Sequence, residues 1–378
     1  MRLWIAIDFV MNSNMHIGIV LHPFGDSAKG LEQYIYETSC TILKESKGNN
    51  TFTIFVKGNP DTTKLPNGAV VVNLPDTFYW NLFLLPWYRK CDAFVFFTES
   101  TPLFLWKKSV VVFFDAAYYY FGSRTLYARL VRTVLAKWRS YMMRSSQHVV
   151  VISEASKRDL VQNFSIPEDH ISVIYPGFKT FGIETPILTT EPQEPFFMYL
   201  GPMKERKNVL RIVEAYIEFR QKTNFSHQLY LVGRKSNGTY ESSVLERIKE
   251  SEYEDSIIFK TSVDDSELHN LYTKATALVY PSLLEGFGLP ILEALNCGCF
   301  VITASTTSTK EAIGNAGFLV DPMNVTEIAN AMIRVAKGEY DKEIFKKAAR
   351  AQCDYFSWEK SGRGWQELFL SNAIQKNA

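Results

Sequence analysis

No stretch of the chain is apolar for long enough to span a bilayer, which argues against an integral membrane protein. No strand–GxGxxG–helix unit with a following acidic residue occurs, which argues against a dinucleotide oxidoreductase. Cysteine is sparse and odd in number: Cys40, Cys91, Cys297, Cys299 and Cys353 are scattered, and Cys297-Gly298-Cys299 has no second pair to complete a metal site. All five read as reduced thiols of a cytosolic protein. Excess charge is missing too. The formal net charge is +1, so there is no global electrostatic footprint for nucleic acid. The opening Met1–Ile7 is too short for a signal-peptide core, and Asp8 interrupts it. Met15–Val20 is a better first strand, so residues 1–14 read as an extension, and the start lies at Met1 or Met15.

What is present is an ordinary globular composition, 46% hydrophobic and 21% charged, over 378 residues, enough for about two domains. Strand-like runs at His16–Leu21, Thr51–Val56, Ala69–Asn73, Ala93–Phe97, Val110–Phe114, Val149–Ile152 and Ile171–Tyr175 alternate with helical spacing, as at Leu31–Leu43. That alternation predicts a parallel sheet covered on both faces. Ser153 is placed to cap the helix that follows Ile152. Thr180–Pro195 is rich in Pro, Thr and Glu, lacks periodicity and reads as a linker. A second alternating series runs from Phe196–Leu200 through Leu229–Gly233, Ile257–Phe259, Ala275–Tyr280, Phe300–Ala304 and Gly317–Asp321.

The organising stretch is Val279–Glu293. An apolar run ends at Pro281, Gly286-Phe287-Gly288 makes a turn, and Pro290 sits where the first turn of a helix tolerates it. Leu289, Leu292, Ala294 and Leu295 then form one apolar face. A strand, glycine turn and helix N-terminus make an anion site, because free N–H groups and the helix dipole point at the turn. Glu285 and Glu293 flank it, which suits a diphosphate with a sugar on one side and ribose hydroxyls on the other. The alternative is an ordinary α/β turn with surface glutamates.

This stretch resembles the Glu-x7-Glu signature of retaining, nucleotide-sugar-dependent glycosyltransferases of family 4 (group 1), including bacterial mannosyltransferase-like members. The resemblance implies a GT-B fold: α/β, with two Rossmann-like doubly wound domains facing a central cleft. The expected boundaries are an acceptor-side domain over 1–180, a linker over 181–195, a nucleotide-sugar domain over 196–352, and helices over 353–378 crossing back. The resemblance assigns Arg206 and Lys207, before a helix that Asn208 is placed to cap, to the donor diphosphate. A basic pair on a solvated surface is the competing reading. Gly201, Gly233, Gly286, Phe287, Gly288 and Leu289 would border the donor, Ser262 and Val263 the base, and Glu293 the ribose. Gly30 is the nearest match to the family's first glycine loop. Glu311 and Gly314 fit a Pro-Glu-x-x-Gly turn in which Lys310 replaces the proline.

Two departures stand out. Phe114 holds the position of a His that many members carry before an Asp, leaving Asp115 as either a functional residue or a turn residue. Pro202 stands where many members place Arg. The catalytic candidates are therefore Glu285, Arg206, Lys207 and Asp115. No Asp-x-Asp occurs, so a metal-bound diphosphate is not expected, and no cofactor is expected beside the GDP- or UDP-linked donor. The acceptor would be a glycan or lipid-linked glycan in surface polysaccharide synthesis, at the cytoplasmic side. Residues 118–144 contain six cations, no acidic residue, and Leu126, Leu130, Val134, Trp138 and Tyr141 at helical spacing. Two readings stand: a peripheral membrane contact, or a core-packed helix with a solvated basic face. The alternative functions are a GT-B nucleotide-sugar epimerase and a catalytically silent nucleotide-sugar-binding subunit.

Overall fold

The computed structural model describes residues 15–22, 29–45, 50–58, 65–75, 90–99, 101–102, 105–121, 125–181, 194–234, 238–371 and 374. The expected extension at 1–14 and most of the expected linker lie outside them. The first lobe contains β1 (Met15–Leu21), α1 (Lys29–Glu45), β2 (Asn50–Lys57), β3 (Val70–Leu74), β4 (Ala93–Phe96) and β5 (Ser109–Phe113). It continues with α2 (Ala117–Tyr120), α3 (Leu126–Ser145), β6 (His148–Val151), α4 (Glu154–Phe164) and β7 (Ile171–Val173). Its sheet has the order β3-β2-β1-β4-β5-β6-β7, and every pairing is parallel. The β-branched and aromatic runs of the central strands are buried on both faces, and β4, β5 and β6 have no exposed residue, whereas the edge strand β3 exposes Val70 and Val71.

The second lobe contains β8 (Phe196–Leu200), α5 (Val209–Lys222), β9 (Gln228–Val232), α6 (Thr239–Lys249), β10 (Ile257–Lys260), α7 (Asp265–Lys274) and β11 (Ala277–Tyr280). It goes on through α8 (Leu289–Asn296), β12 (Val301–Ala304), α9 (Thr309–Ile313), β13 (Phe318–Val320), α10 (Val325–Ala336) and α11 (Lys342–Tyr355). This sheet is also parallel, in the order β10-β9-β8-β11-β12-β13. Each lobe is doubly wound, as the GT-B fold requires. The strand order reverses between β1 and β4 in one and between β8 and β11 in the other. A crevice opens at the carboxyl ends of strands where such a reversal occurs, so two crevices are available.

α12 (Trp358–Leu370) crosses back and packs on α1 of the first lobe. The approach is close: a Cβ on Gly362 would lie 2.3 Å from Cγ2 of Thr41. Gln147 of the first lobe also donates from Nε2 to the carbonyl of Ile374. The expected boundary at 352/353 falls inside α11, which continues to Tyr355 against α8 of the second lobe; the crossing begins at Phe356–Trp358.

Two smaller expectations are corrected. The strands expected at Ala69–Asn73 and Val110–Phe114 run from Val70–Leu74 and Ser109–Phe113, a shift of one residue each. Asn208 precedes α5 but makes no side-chain cap. Its backbone is left-handed, and its buried side chain donates to the carbonyls of Pro281 (3.0 Å) and Pro322 (2.6 Å). Asparagine tolerates that conformation better than most residues. Here it ties three loops of the second lobe together.

Candidate active site

The organising stretch folds as its residues dictate. β11 ends at Tyr280, the chain turns through Gly286–Gly288, and α8 starts at Leu289 with Pro290 in its first turn. Gly288 has φ +104°, a conformation that explains a glycine there. Ile291, Leu292, Ala294 and Leu295 bury one face of α8 and fix its N-terminus over the turn. Gly201 and Gly233 lie at the ends of β8 and β9 with φ +146° and +145°. A Cβ on Gly233 would stand 2.2 Å from the Gly201 carbonyl oxygen, so the two backbones are in contact where the crevice opens.

Glu285 is buried at the bottom of this crevice. Lys207 Nζ lies 2.5 Å from its Oε1, and Arg206 Nη1 lies 3.2 Å from its Oε2. Lys207 also donates to the Tyr280 hydroxyl (2.6 Å), and Ser308 Oγ donates to the Glu285 carbonyl (2.8 Å). Burial pushes the Glu285 carboxyl upward, but Lys207 and Arg206 outweigh it and hold the group below its ordinary value. Burial lowers the Lys207 ammonium, against the pull of Glu285. The two cations are unequal. The Lys207 side chain is 9% exposed and committed to Glu285 and Tyr280, whereas that of Arg206 is 23% exposed. Neither stands on an open solvated surface.

Arg206 also reaches across the cleft. Its Nη1 is 4.0 Å from Oδ2 of Asp115 in the first lobe. The other Asp115 oxygen accepts from the backbone N–H of Ala117 at 2.8 Å, so this residue is both a turn residue and a site neighbour. Phe114 offers no polar side chain. Its ring meets Tyr34 edge-on at 5.0 Å, and its carbonyl lies 2.6 Å from where a Cβ on Gly286 would stand. Gly286 is therefore a point of close approach between the lobes, and Phe287 packs on Tyr175 of the first lobe at 5.8 Å.

Glu293 lies one turn into α8, away from the Glu285 cluster, and accepts from the Tyr272 hydroxyl at 3.0 Å. Burial drives its carboxyl up to about 7. Ser262 (exposed) and Val263 (half-buried) lie in the loop between β10 and α7. Gly30 is the second residue of α1 and is exposed; a Cβ there would meet nothing, so packing does not require glycine at that position. The residues just before α1 lie outside the described ones. Tyr280, Tyr272 and Ser308 escaped the sequence reading. Tyr280 had a signal, as the last residue of the strand beside the turn; the other two reach the site only through the fold.

Within the basic stretch expected over 118–144, α3 presents the reverse of a core-packed helix. Leu126, Tyr127, Leu130, Val134, Trp138 and Tyr141 of α3 are all exposed, from 46% to 85%. Its inward face is Ser140, Met142 and Met143. Arg129, Lys137 and Arg144 are exposed beside the apolar stripe, while Arg139 turns inward to Glu99 at 3.5 Å. Among the described residues, no helix is long and apolar enough to cross a membrane.

Comparison with known proteins places these features in context. Residues 183–352 match the family of glycosyl transferases group 1, and residues 73–180 match Glycosyltransferase Family 4. The O-antigen chain mannosyltransferase B of Escherichia coli is 30% identical over 224 residues, 57% of this chain and 58% of that protein. The O-antigen chain mannosyltransferase RfbU of Salmonella typhimurium is 26% identical over 209 residues, 52% of this chain and 56% of that protein. The matches thus span little more than half the length of these relatives. A glycosyltransferase structure from Rickettsia africae superposes with a TM-score of 0.71 at 19% identity, covering 97% of this chain and 100% of that one.

Proposed function

The chain belongs to the group 1 glycosyltransferases of family 4, and we propose that it transfers mannose or another hexose from a GDP- or UDP-linked donor to a glycan or lipid-linked glycan acceptor. The observation that carries this reading is the buried Lys207–Glu285–Arg206 cluster at the carboxyl ends of β8 and β11, facing Asp115 across the cleft. Arg206, the more exposed cation, and the N-terminus of α8 would take the diphosphate. They would also stabilise its charge as it leaves, with no metal required. Glu293 would accept both ribose hydroxyls, Ser262 and Val263 would border the base, and Gly201 and Gly233 would let the donor approach the backbone. The mannosyltransferase relatives favour mannose.

Transfer would proceed with retention. A double-displacement mechanism needs a free carboxylate as nucleophile. Glu285 is paired with two cations, which lowers its nucleophilicity and suits it to orienting the donor sugar instead. Attack on the same face, assisted by the departing phosphate, agrees better with such a site. The exposed apolar stripe of α3, with cations beside it and no acidic residue on the helix, suits an anionic membrane surface and an acceptor that resides there.

The test is transfer to polyprenyl-linked glycan from a panel of GDP- and UDP-linked hexoses in the presence of a chelator, with the product's anomeric configuration read by NMR. One donor should support transfer with retention, and Glu285→Gln should abolish it. Donor binding without transfer to any acceptor would favour a silent partner subunit.

A further inference from the structure

Glu311 belongs to α9 in the second lobe, yet among the described residues the partners of its carboxylate lie in the first. Its Oε2 accepts from the backbone N–H of Glu154 at 2.8 Å, and its Oε1 from that of Ala155 at 2.7 Å. The Tyr175 hydroxyl donates to Oε2 at 3.1 Å, and Arg158 lies 3.7 Å from Oε1. Glu154 and Ala155 are the first two residues of α4, whose N–H groups have no partner within their own helix. Ser156, the third, is satisfied by the Ser153 side chain, and the first intrahelical bond is Lys157 N–H to the Ser153 carbonyl. The cap of α4 is thus split between lobes: its own serine covers one amide and Glu311 covers two. A carboxylate at a helix N-terminus is favoured by charge as well as by hydrogen bonding.

The contact is wired to the candidate site. α9 begins just after Ser308, whose hydroxyl holds the Glu285 carbonyl, and the Glu311 N–H donates to the Ser308 carbonyl at 2.9 Å. On the other side, the Ser156 hydroxyl in the first turn of α4 donates at 3.0 Å to the Phe114 carbonyl, the atom that abuts Gly286. Asp115 follows Phe114 directly. The same carboxylate therefore ties the backbone of Glu285 to the segment that carries Asp115.

We propose that Glu311 is a positioning residue, an interlobe clasp that caps α4 from the opposite lobe and sets the acceptor side of the cleft against the Glu285 cluster. The positioning of an acceptor rests on the function proposed above; the clasp itself does not. When the lobes part, two amides at the start of α4 lose their partners, so the clasp favours the closed arrangement by the difference between a carboxylate and water as acceptor.

The test combines amide hydrogen exchange, small-angle scattering and kinetics on the full-length chain, comparing wild type with Glu311→Ala, Glu311→Gln and Tyr175→Phe. Loss of two charge-assisted hydrogen bonds predicts exchange at Glu154 and Ala155 faster by roughly 10- to 100-fold in Glu311→Ala. A larger maximum dimension should accompany it. Glu311→Gln, which keeps the size but not the charge, should fall between, and Tyr175→Phe should add little once Glu311 is gone. Donor affinity should stay within about twofold, because the donor-side groups are untouched, while kcat for transfer falls roughly tenfold or more. Unchanged exchange and scattering in Glu311→Ala would overturn the clasp, as would a loss of donor affinity matching the loss of kcat. Accelerated exchange in a protein whose wild type transfers no sugar would keep the clasp and remove the functional reading.

Discussion

Lys207 and Glu285 form a pair whose two halves are not interchangeable. Breaking a buried ion pair leaves an uncompensated charge, whereas removing both charges does not. Lys207→Met should therefore destabilise the protein by about 3 kcal/mol or more, and the double variant Lys207→Met/Glu285→Gln should recover much of that loss. Urea unfolding of the wild type, Lys207→Met, Glu285→Gln and the double variant measures this coupling. Glu293 makes a prediction in pH. Its carboxyl is raised from an ordinary 4.5 to about 7 by burial, so the folded protein binds the extra proton between those values. Stability should fall as pH rises through that window, by up to about 3 kcal/mol, and Glu293→Gln should be more stable than wild type at pH 8 but not at pH 4. Donor binding should run the other way. On the proposed donor placement the carboxylate would accept both ribose hydroxyls and the acid would not, so affinity should drop about tenfold from pH 8 to pH 6 and become pH-independent in Glu293→Gln. Opposite slopes for folding and binding would mark Glu293 as a group kept at a cost to stability.

α3 exposes six large apolar side chains along one face, which solvent alone does not favour. Binding to vesicles containing anionic lipid should be salt-sensitive. Lys137→Glu should weaken it about fivefold per lost charge or more, and Leu130→Ser/Trp138→Ser should weaken it at any salt concentration. Cosedimentation with anionic and zwitterionic vesicles is the measurement, and equal binding of wild type and variants would remove the membrane reading. The orientation of this helix was not legible in the sequence. Spacing shows that Leu126, Leu130, Val134, Trp138 and Tyr141 share a face; it does not say whether that face meets the core or the outside. The strands were more legible because runs such as Val110–Phe113 are apolar at every position, a pattern that only a doubly covered sheet explains. The Gly286–Glu293 turn was legible for a local reason as well, since glycine and Pro290 mark the helix start. The cap expected at Asn208 is absent for a physical reason: the residue type that caps helices also tolerates the left-handed conformation, and its side chain donates to distant carbonyls instead.

Contacts between the lobes were the least legible of all, because they join positions more than a hundred residues apart. Glu311 with Glu154 and Gly286 with Phe114 are invisible to any local pattern. They also carry a prediction for the whole molecule. Gly286→Ala would place a methyl group 2.6 Å from the Phe114 carbonyl, so the lobes must separate or the turn must shift. Transfer should fall at least tenfold in that variant, with the thermal unfolding of the protein little changed, because neither sheet is touched. A nucleotide sugar in the crevice at β8 and β11, between the Lys207–Glu285–Arg206 cluster and Glu293, is best sought by calorimetric titration with GDP- and UDP-linked hexoses at pH 8, in chelator. One donor should bind, and Glu293→Ala should weaken it by more than about tenfold, the scale of lost hydrogen bonds to a charged group. Binding of no donor, or of a donor indifferent to Glu293→Ala, would rule out a nucleotide-sugar site there.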